Sequence, residues 1–311
     1  MTTNAPARPA RAARVAAQAK VNLRLRILAR EISGFHQLET LFLRLALADD
    51  VHVRVTDGAR TLDAGGDFDA RQLGPTERNL AWRAAQTYAE TTGWPSGFAI
   101  QLDKHIPIGG GLGGGSADAG AVLRALDAMA PSPVGPLALL EIAARLGADV
   151  PFLTMEQPFA LGWGRGERLL ALPAPPEREL LLLLPAFAVN TAHAYGWLAD
   201  DRATGMAPSL SPVLLDPDSL SNWEGLSGYA ANDFESVVAA RHPSITALVE
   251  RLHAMGCSIA MMSGSGSSVF GVLPASGSVE LPRFAPEGNA PVPRVLLTRS
   301  AARVEPVVLT D

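Results

Sequence analysis

At 311 residues, with 48% apolar and 18% charged side chains, the chain has the composition of a soluble globular protein with room for one large or two medium domains. A formal net charge of −5 argues against nucleic acid or an anionic membrane as the main partner. One cysteine, Cys257, excludes an internal disulfide and fits a reducing, cytoplasmic setting, and the densest apolar run, Leu180 to Leu184, is far too short for a membrane span.

The first residues are rich in Ala and Arg and hold no acid. Transit peptides share that bias, but no apolar signal region follows, and a disordered basic tail over residues 1–13 is expected. Val21, Leu23, Leu25 and Ile27 then alternate with Asn22, Arg24 and Arg26. Period 2 marks a strand with one buried face, and it puts Lys20 and Asn22 together on the polar face. Ser33-Gly34 reads as a turn, and strand-like runs continue to Val55 before Asp57-Gly58 closes them. Thr61 to Gly74 is polar and loop-like. Thr76 to Gly93 predicts a helix with Thr76 as cap and Gly93 as stop. Phe98 to Ile106 reads as a strand.

That strand feeds Pro107-Ile108-Gly109-Gly110-Gly111-Leu112-Gly113-Gly114-Gly115-Ser116-Ala117, in which six of seven consecutive residues are glycine. Concentrating glycine costs conformational entropy, and what it gains is a backbone that turns through positive φ and approaches a ligand closely. Ser116 to Met129 follows as a helix, with Ser116 in the role of cap. A glycine loop running into a helix N-terminus offers free N–H groups and the positive dipole end to a phosphate. The loop has no lysine, so it is not a Walker loop. Gly109, Gly111 and Gly114 satisfy G-x-G-x-x-G, but a turn and another helix follow where a dinucleotide fold needs a strand closed by an acid.

Beyond it, a helix ends near Gly147, which leaves Asp149 on a turn between a helix end and a strand. Gly162 to Leu169 reads as a β-turn segment. A second half is expected from Glu156, dividing the chain into 14–155 and 156–311. Its parts are a strand through Leu180–Leu184, a Pro/Ser-rich surface connection from Pro208 to Ser221, and a helix with Leu248, Val249, Leu252 and Met255 on one face. Cys257 to Leu273 then reads as strand, glycine turn, strand. The order of elements is α+β rather than strict βαβ alternation.

AKVNLRL (19–25), PIGGGLGGGSADA (107–119) and MSGSGSSVFG (262–271) resemble the three motifs of the GHMP kinases, small-molecule kinases whose phosphate loop is not of Walker type. SGFHQLETLF (33–42), GADVPFL (147–153), GRGERL (164–169) and NDFESVV (232–238) narrow the match to a branch acting on a polyol that carries a cytidine diphosphate group. The resemblance implies a two-domain fold, with an N-terminal half like ribosomal protein S5 and a ferredoxin-like C-terminal half. It also implies ATP as co-substrate, Mg²⁺, and a monomer or weak homodimer. Residue by residue, Lys20 and Asp149 match the catalytic pair, Asn22 a substrate-side polar residue, Phe35 and His36 an aromatic–His pair for cytosine, and Pro107 to Ala117 the ATP loop. Tyr is more usual in the family where Phe35 stands.

The chemistry agrees, since phosphoryl transfer needs positioning and charge stabilisation more than covalent help. Asp149 can accept or aim the proton of an attacking hydroxyl, and Lys20 can balance developing charge. Taken one at a time, each reads more readily as a solvated side chain, and the context of the two motifs reverses that. No Mg²⁺ ligand is assigned: Ser116 and Asp149 offer suitable oxygens, and neither is chosen. The serine-rich turn at 263–268 reads either as a hairpin turn or as backbone donors near a phosphate. A kinase for homoserine, mevalonate or a sugar, and a nucleotide sensor without catalysis, are the competing functions. The segments around His36 and Asn232 weigh against the first, and the Lys20–Asp149 pair against the second.

Overall fold

The computed structural model describes residues 11–32, 34, 36–66, 74–206, 213–275, 281–282, 284 and 292–310. The chain opens with two long antiparallel strands, β1 (Ala12–Arg30) and β2 (His36–Thr56), whose connection is closed by the Gly34 N–H donating to the Glu31 carbonyl. β1 takes in the last residues of the expected tail, because Ala12 and Ala13 pair with β2 and Ala13 is buried; residues 1–10 lie outside the described ones. The larger correction concerns its polar face. Lys20, Asn22 and Arg24 are only 3%, 2% and 6% exposed, so β1 is covered on both sides. The sequence pattern showed polarity, and what lies over that polarity comes from distant parts of the chain.

Arg60–Gly66 forms β3, parallel to β4 (Gly97–Lys104), where a loop was expected. Leu62 and Ala64 turn inward while Thr61 and Asp63 turn outward, a short alternation hidden among turn-forming residues. Residues 67–73 lie outside the described ones. Helix α1 (Leu80–Thr92) starts later than predicted, because Thr76–Arg78 makes a separate 3₁₀ turn and Asn79, not Thr76, caps the helix through the Ala81 N–H. It ends as expected at Gly93 in the left-handed region. Next come α2 (Gly114–Met129), α3 (Pro136–Ala144) and the five-residue α4 (Val150–Thr154). Asp149 therefore leads into a helix and not a strand.

The stretch after residue 156 opens as a hairpin, β5 (Phe159–Gly164) and β6 (Arg168–Ala171), and β5 adds to β2 in the first sheet. The chain then makes β7 (Glu179–Leu184), α5 (Thr191–Ala203), α6 (Pro217–Leu220), α7 (Trp223–Tyr229), the two-residue β8 (Ala231–Asn232), α8 (Asp233–Ala239) and α9 (Ser244–Ala254). Strands β9 (Ile259–Met262), β10 (Val269–Val272), β11 (Arg294–Arg299) and β12 (Val308–Thr310) follow. Part of the expected surface connection, 208–212, lies outside the described residues; the rest includes α6, capped by Asp216 with Leu220 buried. On α9 the buried residues are Ile245, Leu248 and Leu252, with Val249 and Met255 only packed against them.

The architecture is α+β. An eight-stranded sheet runs β12-β1-β2-β4-β3 with branches, and a four-stranded antiparallel sheet runs β11-β7-β10-β9. β7 shows why the halves form one body. Leu180, Leu182 and Leu184 face the core under the first sheet, and Leu181 and Leu183 face the core under α5, α8 and α9. A strand buried on both sides needs no polar alternation, which is why this run reads as continuous leucine.

A buried charge cluster ties the first sheet to α2. The Lys104 ammonium, at the end of β4, bonds Asp49 on β2 and Asp118 on α2, the latter at 2.5 Å. Asp49 also accepts from the backbone N–H groups of His105 and Ile106 at 2.5 and 2.7 Å. These bonds pin both ends of the glycine loop, which leaves β4 after Lys104 and enters α2 just before Asp118. Burial raises the Asp118 pKa to about 7, the attraction of Lys104 offsetting part of that and the repulsion of Asp49 adding to it. The folded state thus holds this proton more tightly than the unfolded chain does. The stability it contributes is complete below the unfolded value of about 4 and is lost as pH rises through the folded value. The melting temperature of the native chain relative to that of Asp118→Asn should therefore fall between roughly pH 4 and 7, as read by thermal unfolding across that range.

Candidate active site

A cleft of about 540 Å³ opens between the two halves. β1 contributes Lys20 and Asn22, β2 contributes Thr40 and Phe42, and the glycine loop lines one wall from Pro107 to Ser116. Asp149 and Tyr195 face it from α4 and α5, and Gly264, Ser265 and Gly266 close it from the β9–β10 turn. Ala117, the last residue of the expected ATP loop, is buried in the core beneath the loop.

The predicted pair is assembled. Lys20 Nζ lies 3.3 Å from an Asp149 carboxylate oxygen, with Lys20 almost fully buried and Asp149 about one-third exposed. The lysine also donates to Asn22 Oδ1 at 2.6 Å, which orients the amide so that Nδ2 donates to the Thr40 hydroxyl at 2.8 Å. The Thr40 hydroxyl in turn donates to the Arg24 carbonyl at 2.8 Å. Lys20 thus has two fixed acceptors and no freedom to swing into water. Burying an ammonium is costly unless its charge and hydrogen bonds are met, and here they are met on one side while the other faces the cleft.

The loop is docked rather than free. Lys20 N–H donates to the Leu112 carbonyl at 2.9 Å, Ser268 N–H to the Gly110 carbonyl at 3.2 Å, and the Ser263 hydroxyl to the Gly111 carbonyl at 3.0 Å. Gly113, at φ 74°, turns the chain into α2 and serves as its cap; Ser116, expected as cap, sits inside the first turn. The helix's first N–H groups have no carbonyl partner within the helix, and they open on the cleft. The β9–β10 segment is a hairpin turn, the first of the two readings its sequence allowed, and Gly264 to Gly266 of that turn line the cleft. NDFESVV has a readable task as well: Asn232 Nδ2 donates to the Met262 and Gly264 carbonyls at 2.8 Å each, and Glu235 accepts from the Met262 N–H, so the motif holds that turn in place.

The base-recognition pair is only partly visible. Phe35 lies outside the described residues. His36 does not line the cleft; it stacks on Tyr195, with ring centroids 4.2 Å apart and an 18° tilt, and Tyr195 meets Phe234 edge-on at 4.8 Å. Burial, with Arg30 and Arg202 nearby, lowers the His36 pKa and keeps the ring neutral. Burial and the charge of Asp149 push Tyr195 up to about 12, so its hydroxyl stays protonated. Sequence reasoning missed Tyr195. The whole of α5 went unread, although Asn190 caps it through the Ala192 and His193 N–H groups, and an asparagine before a helix-compatible run was the available signal.

The GHMP kinases N terminal domain profile matches residues 79–157, and the GHMP kinases C terminal profile matches residues 214–281. The chain is 37% identical to the 4-diphosphocytidyl-2-C-methyl-D-erythritol kinase of Moorella thermoacetica over 91% of its own length and 97% of the relative's. It is 36% identical to the Solibacter usitatus enzyme of the same name, over 84% and 81%. A crystal structure of 4-(cytidine 5'-diphospho)-2C-methyl-D-erythritol kinase superposes with a TM-score of 0.68 at 32% identity, covering 92% of this chain and 98% of that one. The homoserine kinase of Cytophaga hutchinsonii superposes at 0.66 with 17% identity over 99% of both chains, a likeness of fold. Fold, loop and cleft define an ATP-dependent small-molecule kinase of the GHMP class. Within that class the chain belongs to the family of 4-diphosphocytidyl-2-C-methyl-D-erythritol kinases.

Gly111 gives the most direct test of the docked loop. Its φ is 78°, and a Cβ there would come within 2.2 Å of the Ser263 carbonyl oxygen. Gly111→Ala should lower stability by at least about 1 kcal/mol and raise the KM for ATP more than the KM for the acceptor, measured by thermal unfolding and steady-state kinetics.

Proposed function

We propose that the chain transfers the γ-phosphoryl group of ATP to the 2-hydroxyl of 4-diphosphocytidyl-2-C-methyl-D-erythritol, giving the 2-phosphate and ADP, in the non-mevalonate route to isoprenoid precursors. The observation that carries the mechanism is the 3.3 Å Lys20–Asp149 pair set in a cleft between a phosphate-type loop and an aromatic stack. The names of the relatives supply the substrate.

The N–H groups of the loop and of the first turn of α2 hold the phosphate oxygens, and the dipole end of α2 favours their charge. Asp149 takes or aims the proton of the acceptor hydroxyl. Lys20 lies next to both and stabilises the charge spread over the transferring group. Asn22 keeps the lysine aimed and presents its amide edge to the same space. Tyr195 lines the cleft with His36 stacked on it, and the flat cytosine base is recognised on this side, with Phe35 assigned by the family resemblance alone. Neutral His36 offers one donor and one acceptor nitrogen to the base's polar edge.

Mg²⁺ is part of this reading. The Ser116 hydroxyl and the Asp149 carboxylate are oxygen donors on the same cleft, which suits a hard cation that keeps several waters and binds through few protein groups. When bound, such an ion neutralises charge on the nucleotide phosphates.

Two measurements test the function. Phosphate transfer from ATP to the diphosphocytidyl substrate should far exceed transfer to homoserine, and turnover of homoserine alone would overturn the substrate assignment. Asp149→Asn should bind ATP with nearly native affinity while kcat falls by roughly 10² or more. Full activity in that variant would remove Asp149 from the mechanism.

A further inference from the structure

The short helix α4 begins at the Lys20–Asp149 pair and ends on a second buried cation. Lys20 on β1 stands opposite Arg44 on β2 in the strand register, so the two side chains leave the same face of the sheet. Lys20 reaches the start of α4. Arg44, 1% exposed, reaches its end: Nη2 donates to the Phe152 and Met155 carbonyls at 2.8 Å each, and the Arg44 backbone N–H donates to the Pro158 carbonyl at 2.8 Å. These carbonyls lie in and just beyond the last turn of the helix, where no intrahelical donor is available.

No carboxylate among the described residues pairs with this guanidinium. Burial, with Arg124 nearby, pulls its pKa down to about 9, which still leaves it charged at neutral pH. An unpaired buried cation is a costly way to cap five residues unless their position matters. Its ring contacts point the same way. The guanidinium lies 5.2 Å from the Phe152 ring, and Phe152 stacks at 4.7 Å on Phe42, which lines the cleft. Five residues are too few to hold a helix by themselves, and the Leu153 N–H bonds the carbonyl of Asp149 itself at 3.1 Å. Any slip of α4 therefore moves Asp149.

We infer that Arg44 is a positioning residue for phosphoryl transfer, holding the far end of α4 so that the Asp149 carboxylate stays in register with Lys20 and the acceptor hydroxyl. This rests on the proposed role of Asp149. Arg44 touches neither substrate, so its effect is on kcat and passes through Asp149.

The test is steady-state and single-turnover kinetics with ATP and the diphosphocytidyl substrate on the full chain, together with thermal unfolding. The variants are Arg44→Met, Arg44→Lys, Asp149→Asn and Arg44→Met/Asp149→Asn. Displacement of a reacting group by about 1 Å costs up to roughly 10²-fold, so Arg44→Met should lower kcat by about 10- to 100-fold with the KM for ATP changed less than about twofold. Arg44→Lys should lose nearly as much, because its ammonium stops one bond short of Nη2 and has no second nitrogen to replace the Nε–H bond to the Gln157 carbonyl at 3.4 Å, and it carries the test if the Met variant does not fold. In the Asp149→Asn background the same Arg44→Met change should cost less than about twofold, the non-additivity expected of residues acting as one unit. Native kcat in folded Arg44 variants, or an undiminished loss in the Asp149→Asn background, would overturn the inference and leave the role of Asp149 intact. Full turnover by Asp149→Asn alone would instead overturn that role and this inference with it.

Discussion

The position of one buried ammonium group governs the site. Lys20 Nζ is fixed by Asn22 and Asp149, and its backbone N–H holds the glycine loop through Leu112. One residue of β1 thus ties the Asp149 carboxylate to the glycine loop. The arrangement depends on long-range packing, because β1, the loop, α4 and the β9–β10 turn are far apart in sequence and come together around this side chain. A lysine in water would be a mobile, strongly hydrated point charge; buried with two fixed acceptors it becomes a preorganised one.

Preorganisation also explains how an acidic chain binds a highly charged substrate. The cleft offers backbone N–H groups and a helix end, which carry no formal charge, beside Lys20, Lys104 and Arg78. The buried Asp49–Lys104–Asp118 cluster pins both ends of the loop. Net charge describes the surface, and here the surface and the site are electrostatically separate.

Much of the fold was legible. The alternation in β1, the strand before the glycine loop, the helix after it and the leucine run of β7 are strong local patterns, and each folds as its period dictates. What was misread has physical causes. Thr76 and Ser116 were taken as caps because both are good ones, but Asn79 lies nearer the first helical residue of α1, and Gly113 can adopt the left-handed turn that the loop demands. β3 was missed because its alternation is short and set among glycine and aspartate. The stretch after residue 156 joins the first sheet because β2 is long enough to pair with β1, β4 and β5 in turn.

At the site, the glycine loop running into a helix pointed to phosphate by its own pattern, whereas Lys20, Asp149 and Asn22 were singled out by the resemblance to the GHMP kinase motifs. Tertiary structure decided what local pattern cannot carry. It brought Lys20 within 3.3 Å of Asp149, turned the polar face of β1 from a solvated surface into the floor of a cleft, and brought Tyr195 onto His36. It also put Arg44 under the helix that Asp149 begins. Sequence periodicity reports which side of an element is polar; only packing determines whether that side meets water, a substrate or another charged group.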